Sequence, residues 1–128
     1  MSESILNDLL SHDRDAFASN GIEVISAGSD YRGWACWSST FRKKWPIGSE
    51  FGLVTVRLNY QIDAPPRSHD SVEIWWRAEI FRTGRESTFA FTENTEIFVD
   101  ELRRMGMVSV VKGIIEEGER RICSVTGG

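Results

Sequence analysis

The chain has 128 residues, 41% of them hydrophobic and 27% charged, with a formal net charge of −4. Those values are expected of one globular domain long enough to bury a single core without staples, and no apolar run approaches the roughly 20 residues of a membrane span. The opening MSESILNDLL is acidic and polar where a signal peptide is basic and then apolar, so the expected location is cytoplasmic.

Charge is divided evenly: residues 1–64 carry 6 basic and 8 acidic side chains, and residues 65–128 carry 9 and 11. Neither half reads as a nucleic-acid arm. Cys36 and Cys123 lack any CxxC spacing and read as buried reduced thiols. With two His besides, no metal site is expected, and no GxGxxG, GxxxxGK[ST] or HExxH motif calls for a cofactor.

In chain order, Ser2 to Ser19 predicts a helix, because Leu6, Leu9, Leu10 and Phe17 form one apolar stripe. Ser2 or Ser4 can cap it, and Asn20-Gly21 supplies a left-handed stop. Ile22 to Ala27 reads as a short strand before the turn Gly28-Ser29-Asp30. Tyr31 to Phe41 reads as a second strand, with Trp34 and Cys36 against Ala35 and Trp37. Arg42 to Glu50 reads as a loop, since Trp45 precedes a proline and Gly48-Ser49 follows.

From Gly52 to Gln61, Val54, Val56, Leu58 and Tyr60 alternate with Thr55, Arg57 and Asn59. A loop from Asp63 to Ser71, holding Pro65 and Pro66, returns the chain to a central strand, Val72 to Phe81. That strand places Val72, Ile74, Trp76, Ala78 and Ile80 on the core side and Glu73, Trp75, Arg77, Glu79 and Phe81 on the other. A turn at Thr83–Glu86 leads to a strand Ser87–Phe91. A four-residue loop pairs Ile80 with Phe89 and Ala78 with Phe91, keeping apolar partners together; two- and three-residue loops set Arg82 against Arg85 or Ile80 against Thr88.

Asn94 or Thr95 then caps a helix to about Met105, with Phe98, Leu102 and Met105 inward, Asp100 paired with Arg104, and Gly106 as the stop. Met107 to Val125 admits a helix or a hairpin, and a helix to Glu117 followed by a short strand is the preferred reading. The sum is α+β: an N-terminal helix, an antiparallel meander of four or five strands, and C-terminal helices on one sheet face.

Three sets of residues can bear function. His12 and His69 fall in unrelated segments, so no nucleophile–base pair is implied, and Glu73 and Glu79 alternate with Arg77 as cross-strand ion pairs would. Arg42, Lys43, Lys44 and Trp45 could hold phosphate and stack a base, although the net negative charge opposes a polyanion. Trp75 among Arg77, Glu79 and Phe81 is the composition of a protein-docking anchor, unless the N-terminal helix covers that face and makes Trp75 a second-core residue.

The run Trp76-x-Ala78-Glu79-Ile80-Phe81-x-x-Gly84, followed by a helix with an Asp100-Glu101-Leu102 core, resembles immunity proteins of bacterial polymorphic-toxin and contact-dependent growth-inhibition systems over residues 50–105. The resemblance implies a non-catalytic inhibitor that covers the active site of a cognate toxin domain, often a basic nuclease. On that implication Trp75, Arg77, Glu79 and Phe81 are the central contacts and Glu116, Glu117 and Glu119 an acidic rim. A type III-type secretion chaperone, which a homodimer would favour, and a small RNA-binding module are the alternatives; an enzyme ranks last.

Overall fold

The computed structural model describes residues 2–31, 35–61, 70–84 and 86–126, with the side chains of 2–4, 27–31 and 35 left aside. Helix α1 (Ser2–Ser19) is followed by strands β1 (Glu23–Tyr31), β2 (Ala35–Ile47), β3 (Glu50–Gln61), β4 (Ser71–Phe81) and β5 (Phe89–Phe98), then by helices α2 (Val99–Met105) and α3 (Met107–Thr126). The strands form one antiparallel sheet in sequence order. α3 packs across β3 and β4, and α1 lies beside it against β1, so the helices share one face. The chain is α+β, as its patterning predicts.

The core follows from the alternation. Phe41, Val54, Val56, Leu58, Val72, Ile74, Trp76 and Ala78 meet Leu6, Leu10 and Phe17 of α1 and Val111, Ile115 and Ile122 of α3. The stop at Gly21 (φ 72°) holds, and Gly106 (φ 90°) ends α2 with its amide donating to the Leu102 carbonyl. Between β4 and β5 the register is Ile80–Phe89 and Ala78–Phe91, as the facing apolar pairs require. The ladder ends at Ile80–Phe89, and the Thr88 amide donates to the Ile80 carbonyl at 2.8 Å, so the connection is longer than four residues.

Other boundaries differ from the sequence reading. β1 runs through Gly28–Asp30, which were expected to turn. β2 continues through Arg42–Ile47 and pairs with β3 as far as Ile47–Glu50, so the expected loop is strand with a turn at Gly48-Ser49. Pro46 is tolerated because β1 pairs with β2 only as far as Arg42, leaving this end of β2 with one neighbour. Asn94 and Thr95 belong to β5 and pair with Trp75 and Ile74; the helix expected there starts at Val99. Phe98 and Met105 are consequently exposed, and Asp100 and Glu101 pair with Arg103 and Arg104 at i,i+3.

Residues 107–126 form one helix with no final strand, and Cys123, expected inside, is exposed while Cys36 is buried. Ile122 takes the inward position one residue earlier. The capping side chains of Ser2 and Ser4, Trp34, Arg85 and the loop with Pro65, Pro66 and His69 lie outside the described residues. Among the described residues, no helix is long and apolar enough to cross a membrane.

Candidate functional site

The helices occupy one side of the sheet, so the alternate residues of β2, β3, β4 and β5 form a face that no helix of the described residues covers. Four rows cross it. Lys44, Leu53, Glu79 and Ala90 stand in register, then Arg42, Thr55, Arg77 and Thr92, then Thr40, Arg57, Trp75 and Asn94, then Ser38, Asn59, Glu73 and Glu96. Antiparallel sheets commonly leave one face to solvent, but such a face is usually polar. This one carries Trp75, Phe51, Phe81 and Leu53, all half-buried.

Trp75 therefore lies under no helix, and the second-core reading does not hold. Its ring is capped by Arg57, directly opposite on β3, whose guanidinium carbon is 4.9 Å from the ring centroid. Phe81 faces Phe51 with ring centroids 5.8 Å apart, and the Lys44 ammonium lies 4.4 Å from the Phe51 ring and 5.4 Å from that of Phe81. Between these clusters Arg77 Nε donates to Glu79 Oε2 at 3.1 Å, and Ser87 Oγ donates to Glu79 Oε1 at 2.6 Å. Arg42 pairs with Glu23 at 3.0 Å. The far end is acidic, with exposed Glu73 opposite exposed Glu96.

Trp75, Arg77, Glu79 and Phe81 are thus brought together on one open face. Glu116, Glu117 and Glu119 are not: they stand on α3, on the opposite side of the sheet, and cannot rim Trp75. Glu119 accepts from Lys43 at 3.3 Å. Glu117 accepts from Arg120 and, at 3.2 Å, from Arg121, and the hydrogen bonds from these two guanidiniums hold its carboxyl below the ordinary range. Glu116 lines a hollow beside Lys43 and Lys112.

The basic-aromatic segment is divided by strand alternation. Arg42 and Lys44 point to the open face, while Lys43 and Trp45 turn to the helix side, where Trp45 lies against Gly52 so closely that a Cβ there would be 2.6 Å from the indole. Trp45 therefore shares a side with Lys43 but not with Arg42 or Lys44, and the segment expected as a loop is strand. Phe51, Leu53, Lys44 and Arg57 complete the face around Trp75; the first two were within reach of the sequence had the Val54–Tyr60 alternation been carried back past Gly52.

His12 is 86% exposed on α1 and bonds its neighbour Asp13 at 3.0 Å, remote from this face. Among the described residues, no three His, Cys, Asp or Glu side chains cluster as a metal site. Comparison with protein-family models, curated proteins and solved structures gives no match for this chain.

Proposed function

We propose that this chain is a non-catalytic inhibitor that docks its uncovered sheet face onto a cognate toxin domain, in the manner of the immunity proteins it resembles. The observation that carries the reading is the Trp75 ring, held under Arg57 on a face with no helix over it, beside Phe51 and Phe81 under Lys44. Trp and Arg dominate the energetics of protein interfaces, and rings already fixed by neighbouring cations lose little side-chain entropy on docking. Glu79, held by Arg77 and Ser87, is pinned as a contact and not poised as an acid or base.

A net charge of −4 favours encounter with a cationic toxin. An inhibitory interface of about 1,600 Å² at nanomolar affinity corresponds to roughly −12 kcal/mol, which a central anchor such as Trp75 can support. The test is calorimetric titration of a candidate toxin domain drawn from the neighbouring genes, with growth protection as the cellular readout. Trp75→Ala is expected to weaken binding by about 2 kcal/mol or more. An intact complex with Trp75→Ala, or protection without any complex, would overturn the reading.

A further inference from the structure

Among the described residues, β5 pairs with β4 and with no other strand. In an antiparallel ladder alternate residues turn their N–H and C=O groups to opposite neighbours, so every second residue of β5 directs its backbone groups away from the sheet. No backbone hydrogen bond between described residues reaches residues 90–96 from that side.

The two edges of the sheet are built differently. β1 is bulged between Val24 and Ser26, a device that turns an edge away from further pairing. β5 pairs with β4 in one unbroken register from Ser71–Phe98 to Ile80–Phe89, and its ten residues, FAFTENTEIF, hold no Pro, Lys or Arg. Its middle is accessible on both sides, since Thr92, Glu93, Asn94, Thr95 and Glu96 are all exposed. A long, regular edge of this kind is a template for another strand.

The residues of β5 also select that strand. A two-fold axis normal to the sheet through Asn94 sets a second β5 antiparallel to the first, with both helix layers on one side. Asn94 then faces its own copy, Glu93 faces Thr95, Thr92 faces Glu96, Phe91 faces Ile97 and Ala90 faces Phe98, each unlike pair occurring twice. Phe91 and Ile97 are half-buried on the helix side, so apolar meets apolar and every carboxylate of the strand meets a hydroxyl. The adjacent registers fail. An axis through Glu93 or Glu96 sets that carboxylate against itself, one through Thr95 sets Glu93 against Ile97, and one through Thr92 sets Phe91 against Glu93.

From this self-complementarity we infer that β5 pairs with the β5 of a second copy of this chain, centred on Asn94, joining two five-stranded sheets into one. The contact runs only from Ala90 to Phe98 of each strand, so the dimer belongs to the weak, concentration-dependent class. The uncovered faces of both copies then lie on the same side, and the row Arg57, Trp75, Asn94 continues into Asn94, Trp75 and Arg57 of the copy. Their Trp75 positions are three strand spacings apart, about 14 Å. The inference goes beyond the toxin-docking reading and stands without it.

The test is sedimentation equilibrium of the whole chain between about 1 and 1,000 μM, with a thermal melt of each variant at the dilute end. A monomer–dimer equilibrium is expected. Thr95→Glu, which twice opposes Glu93 across the axis, should weaken the dimer about tenfold without lowering the dilute unfolding temperature. Register is read by cross-linking with oxidised glutathione after Cys123→Ser removes the exposed thiol. Asn94→Cys faces itself at a Cα separation of about 4.5–5.5 Å, within reach of a disulfide, whereas Thr92→Cys lies about 13 Å along the strand from its copy. Asn94→Cys is therefore expected to form covalent dimer at least about tenfold faster than Thr92→Cys. A chain that stays monomeric throughout, a dimer indifferent to Thr95→Glu, or equal cross-linking at the two positions would each overturn the inference.

Discussion

Arg57 and Trp75 occupy directly opposed positions on β3 and β4, with the guanidinium 4.9 Å from the ring centroid, on the face of the sheet away from the helices. The pair joins a cation whose charge needs water to a ring whose area avoids it, so each shields the other's less favourable side. Double-mutant cycles on Arg57→Ala and Trp75→Ala by urea unfolding are expected to give a coupling of about 0.5–1 kcal/mol. Additive effects within error would mean that the two side chains are only neighbours.

Asp13 connects α1 to α3 across 95 residues of sequence. Its Oδ2 accepts the Val108 amide at 3.1 Å, satisfying one of the free N–H groups in the first turn of α3 from another helix. Asp13→Ala is expected to cost about 1–2 kcal/mol in chemical unfolding, whereas Asp13→Asn, which keeps an acceptor oxygen, should cost less than half of that. If both changes prove equally mild, the contact contributes nothing to the docking of α3.

The cap also marks where local reading stops. α1, β3 and β4 were legible because each repeats a clean period over three or more turns or alternations, and the β4–β5 register followed from matching Phe89 and Phe91 to Ile80 and Ala78. The strand TENTE in β5 was hidden by Asn94 and Thr95, whose side chains mark helix starts when no cross-strand partner is known. β2 was hidden by Pro46, harmless only because β1 begins at Glu23, opposite Arg42. Within the candidate site, alternation alone placed Trp75, Arg77, Glu79 and Phe81 together. Arg57 alternates with the core residues of β3, but its position over Trp75 depends on a β3–β4 register that the sequence does not announce. The separation of Glu116, Glu117 and Glu119 from Trp75 depends on which face α3 covers, which its own residues cannot show.

Two glycines of α3 should respond in opposite directions to the same substitution. At Gly118 a Cβ would lie 2.7 and 3.0 Å from the Val54 methyls and 3.4 Å from the Ala78 Cβ, all in the closed core between α3 and the sheet. Gly118→Ala is expected to destabilise by about 1–3 kcal/mol, because overpacking outweighs the gain in helix propensity. Gly113→Ala meets no neighbour and should stabilise by about 0.5–1 kcal/mol. Thermal melts of the two variants beside the parent chain check this; equal shifts would contradict the close seating of α3 on Val54.

The last half of α3 carries a pH dependence of defined sign. Hydrogen bonds from Arg120 and then Arg121 lower the Glu117 carboxyl from its ordinary value of 4.5 in the folded chain. A group whose folded value is depressed adds stability above its unfolded value and loses it as pH falls through the folded one, so the benefit is complete above the ordinary carboxylate range and disappears on acidification below it. The pairs are surface i,i+3 and i,i+4 contacts, so salt should erode the same benefit. Relative to Glu117→Gln, the parent chain is expected to melt higher at pH 6, the gap is expected to narrow as pH falls through and below the ordinary carboxylate range, and the gap at pH 6 should shrink at about 1 M salt. A gap that does not narrow on acidification would show that Glu117 supports α3 through packing and not through its charge.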